Sequence, residues 1–278
     1  MNERNGSDAA NGWKRYWGLS RTPFAKQLAA SELFDHPGHQ EAVARIRWAI
    51  AENTIALVTG EVGAGKTVAA RAAVAALDQA AHTVIYVGNA GVGARGIHQH
   101  IAYALGVAPR FHRGALIAQT HELLARERDE RHKRSVLVVD EAHLLDADQL
   151  EQLRMLTNDA LDSDTLIVLV LIGQPSLRRV LRRGSFAALD QRIAVRYHLT
   201  PLDAAQTADY LAHHLKLAGR VDAIFADDAV AAIAHAARGL PRQIGNLALA
   251  ALIAAAARNN RLVDHDAALA AIADANTD

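Results

Sequence analysis

Hydrophobic positions fall in two rhythms along this chain. Short, nearly continuous apolar runs occur at Ile55-Ala56-Leu57-Val58-Thr59, Thr83–Val87, Ser135–Asp140, Thr165–Ile172 and Ala194–Leu199. Each is strand-length and rich in Val, Ile and Leu. Between them lie stretches with helical character: Glu41–Ala51, Val68–Leu77, Ala94–Leu105, Gly114–Arg131 and Asp146–Asn158. In the last, Asp146 is an expected N-cap and leucines recur at 150, 153 and 156. Strands this apolar, separated by helices, predict a parallel sheet covered on both faces. After Thr200-Pro201 the strands stop. Four helices are expected, at about Asp203–Leu217, Asp227–Ala237, Leu240–Arg258 and Asp264–Ala273, punctuated by Gly219, Gly239-Leu240-Pro241 and Asn259-Asn260. The reading is a disordered start over 1–12, an α/β core over 13–200 and a small all-helical domain over 201–278. Trp13, Tyr16, Trp17, Leu19 and Phe24 surround a turn at Thr22-Pro23. They are expected to pack on the next domain; the alternative is a wall around a bound base.

Composition narrows the class. The chain has 278 residues, enough to bury a real core, and 51% of them are hydrophobic. Thirty basic residues balance thirty acidic ones, so no global field draws the chain to nucleic acid, and any such contact must be local. The absence of cysteine excludes a disulfide scaffold, thiol catalysis and zinc–cysteine sites. No signal peptide is read at the polar start, and no uncharged apolar run reaches the ~18–20 residues of a membrane span. A cytoplasmic location with no membrane contact is the expectation.

The chemistry concentrates after the first strand. Gly60-Glu61-Val62-Gly63-Ala64-Gly65-Lys66-Thr67 fits G-x-x-x-x-G-K-[ST], followed by Val68 and a helix. Strand, glycine loop and helix are the context this phosphate-binding motif requires. Glycines let the backbone aim its N–H groups at phosphates, and the helix N-terminus adds a positive dipole end. Lys66 would reach the β- and γ-phosphates of ATP, and the Thr67 hydroxyl would ligate Mg²⁺. Val136-Leu137-Val138-Val139-Asp140-Glu141 reads as a Walker B strand: Asp140 would hold Mg²⁺ through water and Glu141 would act as general base. Gln174, at the tip of the fourth strand beside the Walker B strand, is a candidate to sense the γ-phosphate or orient the attacking water. Arg192, just before the fifth strand, is a candidate to project into a neighbouring subunit's ATP site, with Arg196 as alternate. Arg242, one residue into the third C-terminal helix, could touch phosphate across the domain boundary. Asn89, past the second strand, could pair with Glu141 and hold it off the water.

These motifs, in this order and followed by a helical domain, resemble an AAA+ ATPase. Tyr16-Trp17-Gly18-Leu19-Ser20-Arg21-Thr22-Pro23-Phe24 resembles the opening of the ExeA, or general secretion pathway protein A, family. So do the glycine loop, Ile172-Gly173-Gln174-Pro175 and Gly239-Leu240-Pro241-Arg242. The resemblance spans about Tyr16 to Ala273. It implies a P-loop NTPase (AAA+) fold: a five-stranded parallel sheet with helices on both faces and a helical lid. Secretion members of that family add a membrane helix and a cell-wall-binding region. Short members accompany transposases and are similar to Mu B-like transposition regulators. The second sort is expected here. That implies a homo-oligomer, ring or filament, assembling on double-stranded DNA in the ATP state and recruiting a transposase. The alternatives are a secretion-assembly ATPase acting on envelope proteins and a nucleotide switch with little hydrolysis. Asp140-Glu141-Ala142-His143 also spells the DEAH of some helicases, which need two tandem motor domains.

Two basic clusters are candidates for DNA phosphate contact: Arg126, Arg128, Arg131, His132, Lys133 and Arg134, and Arg178, Arg179, Arg182 and Arg183. No helix-turn-helix or zinc signature appears, so sequence-independent binding is expected. His98, His100, His213 and His214 lie on expected helices without convincing ligand spacing.

Overall fold

The computed structural model describes residues 12–25, 28–88, 90–158 and 165–276. The expected disordered start therefore lies, apart from Gly12, outside the described residues. By their contacts the described residues form two compact units. One comprises Pro37–Glu61 and Lys66–Leu199; the other comprises the chain up to His36, the short stretch Val62–Gly65, and Thr200 onward.

The first unit is a five-stranded parallel sheet. Its strands are β1 (Ile55–Gly60), β2 (His82–Val87), β3 (Arg134–Val139), β4 (Ile167–Gly173) and β5 (Ile193–Leu199). Their spatial order is β2-β3-β4-β1-β5, every pairing parallel. β1 and β4 are central and buried at every residue, which is why they read as unbroken apolar runs. Edge strand β2 instead alternates from Val84 to Val87: Val84 and Tyr86 are exposed while Ile85 and Val87 are buried. Period-two geometry splits the sheet's side chains between two cores. Ile55, Leu57, Leu137, Val139, Leu169 and Leu171 face one, where helices α4 (Gly93–Ala104), α5 (Arg113–Asp129) and α6 (Ala147–Leu156) supply Ile97, Ile101, Leu124, Leu150, Leu153 and Leu156. Ala56, Val58, Val136, Val138, Val168, Val170 and Ile172 face the other, against Ile46 and Ile50 of α2 (Pro37–Ala51) and Ala70 and Ala73 of α3 (Lys66–Ala75). Asp146 caps α6 as expected: its carboxylate accepts from the Gln149 N–H while the Gln149 side chain returns the bond. Two short helices escape the sequence pattern, α7 (Ser176–Leu181) and α8 (Ala187–Arg192). Six residues hold too little periodicity to read.

The second unit is helical. After α1 (Gly12–Tyr16) come α9 (Ala204–Leu217), α10 (Asp227–Ala236), α11 (Pro241–Ala257) and α12 (His265–Ala275). Asp203 and Asp264 cap α9 and α12 by accepting from the Gln206 and Ala267 N–H groups. Ala248, Ala251 and Ala255 of α11 and Ala267, Ala268 and Ala271 of α12 lie in one core, where small side chains allow close helix approach. The expected division placed 13–200 together. The aromatic start belongs instead with the helical unit. Trp17 is buried there, its indole Nε1–H donates to the Leu252 carbonyl at 2.9 Å, and Trp13, Leu19 and Phe24 join the same cluster. Burying these rings in the core they share with residues of α9 and α11 removes their apolar surface from water. No helix among the described residues is long and apolar enough to cross a membrane.

Candidate functional site

The site is built at the carboxyl ends of β1 and β3, where ligands of open parallel sheets bind. β1 ends at Gly60, and a Cβ there would lie 2.7 Å from the Leu199 carbonyl oxygen of β5, so only glycine fits. The chain then turns through Glu61, Val62, Gly63, Ala64 and Gly65. Gly63 and Gly65 have φ of +84° and +98°, which L side chains rarely adopt. α3 begins at Lys66, with Thr67 and Val68 in its first turn. Lys66 is buried, and its Nζ donates to the carbonyls of Gly60 at 2.9 Å and Glu61 at 2.8 Å. The loop thus curls around its own ammonium group, beside the helix N-terminus.

Asp140 follows directly on β3 and is buried. Three donors converge on its carboxylate. The Thr67 hydroxyl donates to Oδ2 at 2.8 Å, the Tyr86 hydroxyl donates to the same oxygen at 3.0 Å, and the Glu141 N–H donates to Oδ1 at 2.8 Å. A hydroxyl and a carboxylate joined at a phosphate-type loop are hard oxygen donors of the kind magnesium takes. The described residues contain no group of three or more His, Asp or Glu that could hold a metal ion. Glu141 has φ of +52° and its side chain is largely exposed, with Oε2 3.3 Å from His143 Nδ1.

Tyr86 was not singled out from sequence. Its position supplies the missing signal: a tyrosine near the carboxyl end of the strand paired to β3. Burial and the neighbouring Asp140 push its hydroxyl up to about 12, so it remains a donor at neutral pH. Gly88 makes room for it, since a Cβ there would lie 2.8 Å from Tyr86 Cε1.

The remaining sequence candidates separate. Gln174 stands at the end of β4, where its N–H reaches His143 Nδ1 at 3.5 Å. Arg192, the candidate for a neighbouring subunit's site, has hydrogen-bond partners within its own chain. It ends α8, and its guanidinium donates to the Thr157 carbonyl at 3.2 Å and the Asn158 side chain at 3.0 Å, at the end of α6. Its alternate, Arg196, pairs with Asp190 at 2.9 Å. Each finds its partner in its own chain because α8 and β5 bring the acceptors within a side chain's length. Arg242 is the second residue of α11, after Pro241 at the first helical position. Within the helical unit its N–H donates to the Gly63 carbonyl at 3.4 Å, and a Cβ on Gly63 would meet its Cβ at 3.0 Å. Asn89 lies outside the described residues.

The two basic clusters also differ. In the first, Arg128 pairs with Asp129 and Arg131 with Glu127. Lys133 donates to the Gln79 carbonyl, and Arg134 donates to those of Ile50 and Ala51. In the second, Arg179, Arg182 and Arg183 are exposed and Arg178 is half-buried, and no carboxylate forms an ion pair with them among the described residues.

Residues 50–181 match the family model of the AAA domain. The chain is 34% identical over 267 residues to General secretion pathway protein A of Aeromonas hydrophila, covering 93% of this chain and 48% of that protein. It therefore spans about half the length of this curated relative. Among solved structures, the fold is similar to the Aeropyrum pernix ORC2 protein in its ADPNP–ADP complexes, with a TM-score of 0.71 at 18% identity over 92% of this chain and 72% of that one. It is also similar to Cdc6p from Pyrobaculum aerophilum, with 0.66 at 20% identity over 90% and 68%. Thermotoga maritima RuvB, a Holliday junction branch migration motor, gives 0.61 at 18% identity over 92% and 74%. The five-stranded parallel sheet with flanking helices is a P-loop NTPase fold of the AAA type.

Proposed function

We propose that this chain, an AAA-fold P-loop protein, binds ATP with magnesium and hydrolyses it. The observation that carries the reading is the Thr67–Asp140 hydrogen bond at 2.8 Å, made beside an ammonium held at the glycine loop. Loop N–H groups, the α3 N-terminus and Lys66 would bind the β- and γ-phosphates. Thr67 and Asp140 would hold Mg²⁺, which when bound neutralises charge on the phosphate oxygens. Tyr86 fixes the Asp140 carboxylate from the opposite strand. Glu141 would take the proton of a water whose oxygen bonds to the γ-phosphorus as the β–γ bridging bond breaks, giving ADP and phosphate.

The finer reading is an ATPase that assembles on double-stranded DNA as a homo-oligomer and recruits a transposase. The arginines at 178, 179, 182 and 183, which no carboxylate of the described residues pairs, support a contact with phosphate backbone, because guanidinium groups not engaged by carboxylates can meet other anions. The transposase is supported by the family resemblance of the sequence motifs. A second reading, an ATPase directed at envelope proteins, is favoured by the identity with General secretion pathway protein A. Phosphate release with and without double-stranded DNA, at two salt concentrations, tests the choice. Stimulation that fades with salt is expected. Turnover indifferent to DNA at both salts refutes the DNA reading and leaves the protein-directed one.

A further inference from the structure

His143 takes no part in the reading above, yet it stands between two of its residues. It sits in the single 3₁₀ turn Ala142–Leu144 that follows the Walker B acids, and its side chain is only 11% exposed. Nδ1 lies 3.3 Å from Glu141 Oε2 and 3.5 Å from the Gln174 backbone nitrogen. The approach of β4 to this turn is close. A Cβ on Gly173 would lie 3.0 Å from Leu177 Cδ2, 3.1 Å from the His143 backbone nitrogen and 3.5 Å from its Cβ, so glycine at the strand's end lets the backbone of this turn come close.

One ring nitrogen cannot serve both neighbours at once. With a proton on Nδ1 it donates to the Glu141 carboxylate. Without one it accepts from the Gln174 N–H. Both states are neutral tautomers of the same ring, so passing from one to the other needs no net charge change. Glu141 holds left-handed backbone, with φ of +52°, directly before the turn that carries His143. The imidazole is therefore placed to orient the carboxylate and to tie that orientation to the end of β4.

We propose that His143 is a positioning residue for ATP hydrolysis: it holds the Glu141 carboxylate and couples it to the strand end that carries Gln174. The proposal rests on the reading of Glu141 as general base. It acts on the chemical step and not on nucleotide affinity, because the His143 side chain's hydrogen-bond and ion-pair partners among the described residues are Glu141 and Gln174 and not the loop, Lys66 or Thr67.

The test compares His143→Leu and His143→Asn. Asparagine keeps a polar atom near the Nδ1 position that can donate or accept; leucine keeps the bulk and loses both contacts. His143→Leu is expected to lower kcat roughly 10-fold, the scale of loss from a misplaced catalytic group, with KM for ATP changed less than about twofold. His143→Asn is expected to restore most of the rate. In a Glu141→Gln background, His143→Leu is expected to change nothing further, since the group it positions is gone. A packing role would lower the rate in both backgrounds, with no rescue by asparagine, and that outcome overturns the proposal. So does a His143→Leu protein with wild-type kcat. If the unaltered chain binds ATP but does not hydrolyse it, the functional reading fails and this proposal fails with it. If the chain hydrolyses ATP and Glu141→Gln abolishes turnover, only the His143 outcomes bear on the proposal.

Discussion

Gly239 opens the Gly239-Leu240-Pro241-Arg242 segment, and its geometry makes a measurable claim. Its φ is +68°, and a Cβ would lie 2.0 Å from the Leu202 carbonyl oxygen and 3.0 Å from Leu202 C and N. Its own carbonyl accepts from the Leu202 N–H at 2.8 Å. Three costs follow for Gly239→Ala. Left-handed backbone for a residue with a Cβ costs about 1 kcal/mol. Losing the Leu202 hydrogen bond costs about 1 kcal/mol more. A backbone clash cannot be relieved by a rotamer, so the segment must move, at a further cost of about 1 kcal/mol or more. The sum of about 3 kcal/mol corresponds to a fall in Tm of about 5–10 °C. Two other glycines isolate the terms. Gly106 has φ of +77° with nothing within 4 Å, so Gly106→Ala should cost only the backbone term of about 1 kcal/mol. Gly114, at the start of α5, has ordinary φ and open space, so Gly114→Ala should be neutral or stabilising by up to about 1 kcal/mol. Thermal unfolding by circular dichroism reads the series, and hydrogen exchange of the α10 and α11 amides locates the loss. Equal stability of the Gly106 and Gly239 variants would refute the clash.

Further outcomes follow from other parts of the molecule. His214 is buried against Tyr210 and Phe24, with His213 and Arg21 close by, and burial lowers it to about 4. Between 6.5 and 4 the unfolded chain binds the proton that the folded chain refuses, so stability is fully present above 6.5 and falls as pH drops through 4, by about 3 kcal/mol in all. Urea titrations at stepped pH should show this slope and His214→Phe should flatten it; an unchanged slope sinks the assignment. For the arginines, replacing Arg178, Arg179, Arg182 and Arg183 by alanine should reduce the salt slope of DNA binding by about 3–4, the number of phosphate contacts removed. The same change at Arg126, Arg128, Arg131 and Lys133 should leave the slope close to wild type, because carboxylates and carbonyls already hold most of those side chains. The reverse ranking would reassign the surface.

Sequence alone made the sheet legible because its central strands are buried on both faces and most of its flanking helices are long. The core reads directly: Leu137 and Val139 against Val136 and Val138 is the two-sided burial that an unbroken apolar run announces. The glycine loop was legible residue by residue, since positive φ at Gly63 and Gly65 and the helix start at Lys66 are what the motif demands. What was hidden depends on tertiary approach. Trp17 finds its partner at Leu252, more than two hundred residues along, and no local pattern points there. Tyr86 reaches Asp140 only because β2 and β3 pair in register, Tyr86 opposite Val138. The hydrogen bond from Arg192 to Asn158 likewise needs α6 and α8 in place.

The measurement that tests the central claim most directly is ATP turnover by the unaltered chain and by Glu141→Gln, with nucleotide binding measured in parallel. If Glu141 activates water at a site formed by Lys66, Thr67 and Asp140, the unaltered chain releases phosphate only with magnesium. Glu141→Gln then binds ATP within a few-fold of wild type while its turnover falls roughly 10²-fold or more. Turnover that survives in Glu141→Gln, or that needs no magnesium, would contradict the account.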